Sequence, residues 1–334
     1  MSSRPKVVVT DYITEPVSEA PLIAPYADLV FANALHEDEL VAKHSDAEAF
    51  IVFHDIKLTA ASLHKFPKLR GIVRAGVGFD NVDLEAAGKL GILVCNIPDY
   101  GSEDVADHAL MMMLAITRRL KTQDDAIRKG GWDATLIYGA PRMRGLTLGI
   151  LGAGRIGSAM ALRGKALGNR VIFYDPYQPP GYEKALGVER AYEFEEFLPQ
   201  CQVISLHTPL TNETRHILNA KTLANLPKGA YVVNTARGPC IDNVALVDAL
   251  DSGHIAAAAL DVVEREPLDN EKLRHHPRVL LTPHSAFYSV DSFIEMRTKS
   301  GHEIVRILTN KPVRNPVNRR WLVNPKGVLP PVKE

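Results

Sequence analysis

The chain has 334 residues, 46% hydrophobic and 23% charged, the balance of a globular protein long enough for two ordinary cores. Lys+Arg and Asp+Glu both number 39, so no broad field draws the chain to nucleic acid or to a membrane surface. Cys95, Cys201 and Cys240 are odd in number and scattered without a C-x-x-C, which argues against a disulfide framework and against a zinc or other metal site. The start, from Met1 to Lys6, runs into a strand pattern without a signal-peptide core. The apolar runs are too short to span a bilayer, and a cytoplasmic location is expected.

From the N-terminus, short apolar runs alternate with helix-compatible ones. Strand patterns fall at Lys6 to Thr10, Leu29 to Ala32, Ala49 to Phe53, Gly71 to Arg74 and Gly91 to Cys95, with helical patterns such as Glu37 to His44 and Leu84 to Leu90 between them. That alternation predicts a parallel sheet covered on both faces. A long apolar helix is predicted from Ser102 to Leu120, with Glu103 and Asp104 near its positive end and Arg118 and Arg119 near its negative end. The stretch from Lys121 to Arg144 shows little periodicity, yet Trp132, Ile137, Tyr138 and Met143 make it too apolar for a free loop. It either folds over its own domain or reaches a partner subunit, and the second is preferred.

Thr147 to Leu151 is an apolar run fit for a buried strand, and it leads into Gly152-Ala153-Gly154-Arg155-Ile156-Gly157. In this G-x-G-x-x-G turn, Gly152 allows the tight bend and Gly154 lets the backbone approach a pyrophosphate. Gly157 lets helix and strand pack closely, while the helix N-terminus offers N–H groups to the anion. The next strand pattern, Arg170 to Tyr174, ends in Asp175, 18 residues past Gly157. A carboxylate at about that distance meets the ribose hydroxyls of a dinucleotide. No arginine adjoins Asp175 in sequence, so NAD is favoured over NADP.

Further strand patterns follow at Val203 to Leu206, Ala230 to Asn234, Ala257 to Leu260 and Val279 to Leu281. Ligands gather at the carboxyl ends of such strands. The residues there are Asp175, His207-Thr208-Pro209, Thr235-Ala236-Arg237-Gly238, Asp261 and Thr282-Pro283-His284. Removing hydride from a secondary alcohol requires a base for the hydroxyl proton, and histidine suits it. A carboxylate on the far ring nitrogen orients the imidazole, and the planar fork of arginine clamps a carboxylate. His284, Glu266 and Arg237 therefore match interconversion of a small 2-hydroxy acid and its 2-keto acid. The last helical pattern, Ser292 to Thr309, leads back to the first unit, and the five-proline tail from Pro312 reads as extended. Its basic residues, Lys311, Arg314, Arg319 and Arg320, read as a solvated end.

These segments resemble the D-isomer-specific 2-hydroxyacid dehydrogenases. The likeness rests on Arg74 to Asp83, Gly149 to Gly157, Asn234 to Gly238, Ala259 to Asp261, Glu266-Pro267 and Thr282 to His284. Within the family it is greatest to the branch containing the C-terminal binding protein corepressors, through Phe173 to Tyr177 and Ile294 to Arg297. The resemblance implies two doubly wound parallel-sheet α/β domains of Rossmann-like and flavodoxin-like type. Residues 1–100 with 287–334 would form a discontinuous substrate domain, and 101–286 an NAD domain with a dimerisation arm at about 121–145. The active-site cleft would lie between them, with hinges near residues 100 and 286. Arg237, Glu266 and His284 would be catalytic. N–H groups around Gly76, Val77 and Gly78 would hold the substrate carboxylate, with Arg74 adding positive charge. Asp175 would bind ribose, Arg155 and Ile156 the pyrophosphate, and Thr208, Ala236 and Asp261 would line the nicotinamide half. His207, Pro209 and Thr235 join them as cofactor-site residues.

Phe287 stands where the corepressors carry tryptophan, so the pocket and the substrate would differ. Pro239-Cys240 replaces the usual glycine and aliphatic pair, with Cys240 read as a small core residue. Formate-oxidising relatives use glutamine where this chain has Glu266, whereas phosphite oxidation fits the same scaffold. Expected partners are the small acid and a second copy of the chain. The alternative is an NAD(H)-sensing dimeric scaffold with little turnover.

Overall fold

The computed structural model describes residues 4–331, which fall into two compact units. One comprises the chain up to Gly101 and from Ser289 onward; the other is Ser102–Tyr288. Phe287 and Tyr288 thus belong with the second unit.

The first unit is built on β1 (Lys6–Val9), β2 (Asp28–Phe31), β3 (Ala49–Val52), β4 (Gly71–Arg74) and β5 (Leu93–Asn96). They form a parallel sheet in the order β2-β1-β3-β4-β5. β3, β4 and β5 are buried at every position, which is why they read as continuous apolar runs rather than as alternation. One face packs on Phe50 and Phe66, whose rings meet edge to face at 5.0 Å. The other carries the Val290–Leu308 helix, started by a Ser289 cap on the Ser292 N–H. Gly71 allows the helix to approach, since a Cβ there would lie 2.6 Å from Ile307 Cδ1. Arg297 of this helix forms a buried ion pair with Glu19, Nε donating at 2.8 Å. The tail beyond it is more than an extended end. Val317 N–H donates to Val94 O at 2.8 Å, and the Asn318 side chain exchanges hydrogen bonds with Ile92 O and Val94 N–H.

The second unit contains β6 (Thr147–Leu151), β7 (Arg170–Tyr174), β8 (Glu189–Ala191), β9 (Val203–Leu206), β10 (Ala230–Asn234), β11 (Ile255–Leu260) and β12 (Val279–Leu281). Its parallel sheet runs β12-β11-β10-β9-β6-β7-β8. A separate core covers each face, one including Phe197, Leu246 and Leu250, the other Met112, Met113, Met160 and Phe173. The chain runs outward from β6 through β7 and β8, then crosses to β9 on the other side of β6. The strand order therefore reverses at β6, and a crevice opens above its carboxyl end.

Two expectations need correction. The helix beginning at Ser102 ends at Thr117, and Arg119 adopts a left-handed φ of 52° that breaks it. The stretch read as aperiodic opens with a second helix, Leu120–Arg128. It buries none of its residues. Its supports are the one-turn ion pairs Lys121–Asp125 and Asp124–Arg128. Among the described residues no helix is long and apolar enough to cross a membrane.

Candidate active site

The glycine turn lies at the topological switch. Gly152 has φ +92°, and a Cβ there would stand 2.9 Å from Thr208 Cγ2 and 3.0 Å from His207 O. A Cβ on Gly157 would stand 1.9 Å from Gly152 O, so helix and turn meet this closely only with glycine. Gly154 caps the Arg155–Ala166 helix without a side-chain partner, and no atom lies within 4 Å of where its Cβ would be. Uncapped N–H groups thus face open space beside exposed Arg155 and half-buried Ile156.

Asp175 ends β7 and is held at both oxygens. Ala153 N–H donates to Oδ2 and Tyr177 N–H to Oδ1, each at 2.9 Å. Gln178 ties the same loop back, donating to Ala153 O at 2.8 Å. On the other flank, His207 follows β9 with Nε2 2.8 Å from Ser205 Oγ. Burial pushes its imidazole pKa down to about 3, so the ring is neutral at ordinary pH. Thr208 Oγ1 lies 3.8 Å from Cys240 Sγ, and Pro209 O accepts from Thr214 at 2.6 Å. Asn234 shapes the turn after β10, accepting from Ala236 N–H at 3.0 Å and donating to Arg237 O at 2.9 Å. His207 Nδ1 and Thr235 Oγ1 are buried polar atoms without a hydrogen-bond partner. Buried polar atoms are normally satisfied. Two orphans beside an open glycine cradle fit a bound dinucleotide.

Arg237, Glu266 and His284 sit at the ends of β10, β11 and β12. Their loops are locked together. A Cβ on Gly238 would lie 1.8 Å from Val263 O, so the Arg237 turn lies directly on the Glu266 loop. Glu266 Oε1 accepts from Val263 N–H at 3.2 Å, and Oε2 lies 2.8 Å from His284 Nδ1. Burial alone would raise the Glu266 carboxyl. The His284 hydrogen bond and charge, the Val263 N–H and the Arg237 charge outweigh it and hold the carboxyl below its ordinary value. His284 adopts a left-handed φ of 53°, and its N–H donates to Asp261 O at 2.8 Å. Its ring meets Phe287 edge to face at 6.5 Å.

Asp261, expected beside the nicotinamide, has a side chain only 1% exposed. Its Oδ1 accepts from Thr282 Oγ1 at 2.5 Å and Ser285 N–H at 2.9 Å, and its Oδ2 from Ala286 N–H at 3.0 Å. What it does here is order the loop that bears His284. His108 adds a contact to Thr282 Oγ1 at 3.0 Å. Sequence reading passed over His108 and Thr282 as site supports; the one signal was a polar residue in an apolar helix.

In the first unit, Arg74 ends β4 and is buried, with Nη1 donating to Ala75 O at 2.9 Å. A Cβ on Gly76 would lie 1.4 Å from that nitrogen. Asn96 Nδ2 donates to Val77 O at 2.7 Å, leaving Val77 and Gly78 half-buried.

The fold and the glycine turn define a dinucleotide-binding α/β protein. Residues 110–286 match the family model described as D-isomer specific 2-hydroxyacid dehydrogenase, NAD binding domain. The chain belongs to that family, and its nucleotide is NAD. It is 37% identical to C-terminal-binding protein 1 of Caenorhabditis elegans, over 98% of this chain and 46% of that protein. It is also 37% identical to D-3-phosphoglycerate dehydrogenase of Methanocaldococcus jannaschii, over 94% of this chain and 59% of that one. The chain thus spans about half the length of these curated relatives. A glyoxylate reductase structure from Paecilomyes thermophila superposes with a TM-score of 0.88 at 28% identity, over 96% of this chain and all of that one.

Proposed function

We propose that the chain is an NAD-dependent dehydrogenase interconverting a small D-2-hydroxy acid and its 2-keto acid. The observation that carries the reading is the 2.8 Å contact of His284 Nδ1 with Glu266, on loops locked to Arg237 beside the glycine turn. Bound nicotinamide supplies the hydride chemistry. The chain supplies the rest. With Nδ1 turned to Glu266, Nε2 is the nitrogen that takes the hydroxyl proton in oxidation and returns it in reduction. Glu266, held ionised, stabilises the imidazolium and fixes the ring plane. Arg237 receives the substrate carboxylate in its fork and polarises the adjacent carbonyl. Gly152, Gly154, Arg155, Ile156 and Gly157 hold the pyrophosphate, and Asp175 the ribose. Arg74 and the Gly76–Gly78 turn are proposed as anion-holding groups of the first unit, with Phe287 as a pocket wall. Turnover of a panel of 2-keto acids with NADH, and the configuration of the product, test the proposal.

A second reading, an NAD(H)-sensing scaffold with little turnover, draws on the likeness to the nematode protein. NADH binding without turnover on any acid of the panel would favour it. In either reading the arm after Thr117 joins two copies into a homodimer. Its support is exposure: Trp132 is 89% and Tyr138 70% accessible, which is unusual for aromatic side chains of a lone subunit.

A further inference from the structure

Beyond Asp175, a second carboxylate stands at the mouth of the nucleotide site. Tyr177, two residues past Asp175, is 77% exposed, and its hydroxyl donates to Glu213 Oε2 at 2.5 Å. Glu213 belongs to the loop after β9, on the opposite side of the glycine turn from the loop after β7. Its own loop is a tight turn, with Glu213 N–H donating to Thr211 Oγ1 at 3.2 Å. The same tyrosine is anchored at its backbone, donating to Asp175 Oδ1. One residue, through its backbone N–H and its side-chain hydroxyl, thus links the carboxylate that marks the ribose position to a carboxylate from across the crevice. The Glu213 hydrogen bond and charge, and then Asp175, raise the Tyr177 hydroxyl pKa.

The nearby cation is turned toward the backbone of the Asp175 loop. Arg190, in β8, reaches back to the Asp175 loop. Its Nη2 donates to Asp175 O at 3.0 Å and Gln178 O at 2.9 Å, and its Nη1 to Pro179 O at 3.0 Å. Its guanidinium lies 4.9 Å from the Tyr192 ring centroid. The fork that could greet a phosphate is bonded to backbone carbonyls instead.

We propose that Glu213, held in place by Tyr177, is a specificity-determining residue of the nucleotide site. It presents a second negative charge that disfavours the 2′-phosphate of NADP. The inference rests on the dinucleotide reading of the glycine turn and deepens it. A 2′-phosphate carries about 1.5 to 2 negative charges, and one carboxylate at a solvated mouth repels it by an amount worth about five-fold in affinity.

The test is binding rather than turnover: NADH and NADPH dissociation constants by fluorescence titration of the full chain. Glu213→Gln keeps an acceptor for Tyr177 and removes the charge. It is expected to lower the ratio of the NADPH constant to the NADH constant about five-fold. Glu213→Lys should lower it further, and Tyr177→Phe, which releases Glu213 into solvent, should lower it less. In 1 M salt, where the Debye length is about 3 Å, the gain should shrink. An unchanged ratio in both Glu213 variants would overturn the role of Glu213 while leaving the nucleotide site intact. A wild-type chain that binds neither nucleotide would instead overturn the dinucleotide reading, and this proposal with it.

Discussion

The histidine proposed to carry the proton, His284, and the one that burial keeps neutral, His207, call for different tests. His284→Ala and Arg237→Ala should each lower kcat/KM by about 10²- to 10⁴-fold, the usual worth of a positioned acid–base group. NADH titration should find the nucleotide still bound, because neither side chain builds the glycine turn; loss of nucleotide binding in both would count against their roles. His207 is the contrary case. Unfolded, it protonates near the ordinary value of about 6.5; folded, burial keeps it neutral down to about 3. Between those values the unfolded chain binds a proton that the folded chain refuses, so stability falls as pH drops through that window. His207→Gln lacks this liability, and its melting temperature should lose less than the wild type between pH 7 and pH 4. Residues of this kind were partly legible in sequence. Arg237 and His284 announce themselves by following strands. Arg190 and Glu213 do not, because 15 and 38 residues separate them from Asp175 and only the fold returns them to it.

Elements were legible in proportion to how much of them is buried. β6, every residue of it buried, reads as a strand from hydrophobicity alone, and the glycines after it mark its end. β8 has three residues with one buried, too short to leave a pattern. The Leu120–Arg128 helix failed for the opposite reason, being stabilised by surface ion pairs rather than by a core. Its Leu120 and Ile127 are 60% and 50% exposed, as Trp132 and Tyr138 further along the arm are exposed. A Trp132→Ala, Tyr138→Ala double variant should therefore shift the mass in sedimentation from a dimer toward the 36.7 kDa monomer. Its melting temperature at high dilution should hardly move, since exposed substitutions usually stay within about 0.5 kcal/mol. A wild-type chain that is already monomeric would remove the dimer from the account.

At the scale of the whole molecule, the two units differ in how the chain completes them. The second is continuous from Ser102 to Tyr288 and closes both its cores with its own segments. The first depends on the Val290–Leu308 helix, which covers one sheet face and supplies Arg297 to the buried Glu19 carboxylate. Removing one member of a buried pair costs about 3–5 kcal/mol, and loss of the helix exposes the sheet face as well. A chain ended at Tyr288 should keep a protease-resistant, NADH-binding fragment beginning near Ser102, while residues before Gly101 are digested. Protection of both segments would show that the early strands stand without the helix. This division was visible in sequence as a strand–helix series without its own glycine turn, followed by a helix with no sheet left to cover. The dividing positions themselves carry no composition signal.

That interruption also sets an order of events on the ribosome. The strands up to Asn96 emerge well before their covering helix, which is translated only after the entire second unit. At about 5–20 residues per second the wait is roughly 10–40 s. During it the nascent chain carries an apolar sheet without its covering helix, while the second unit, continuous in sequence, is already able to fold.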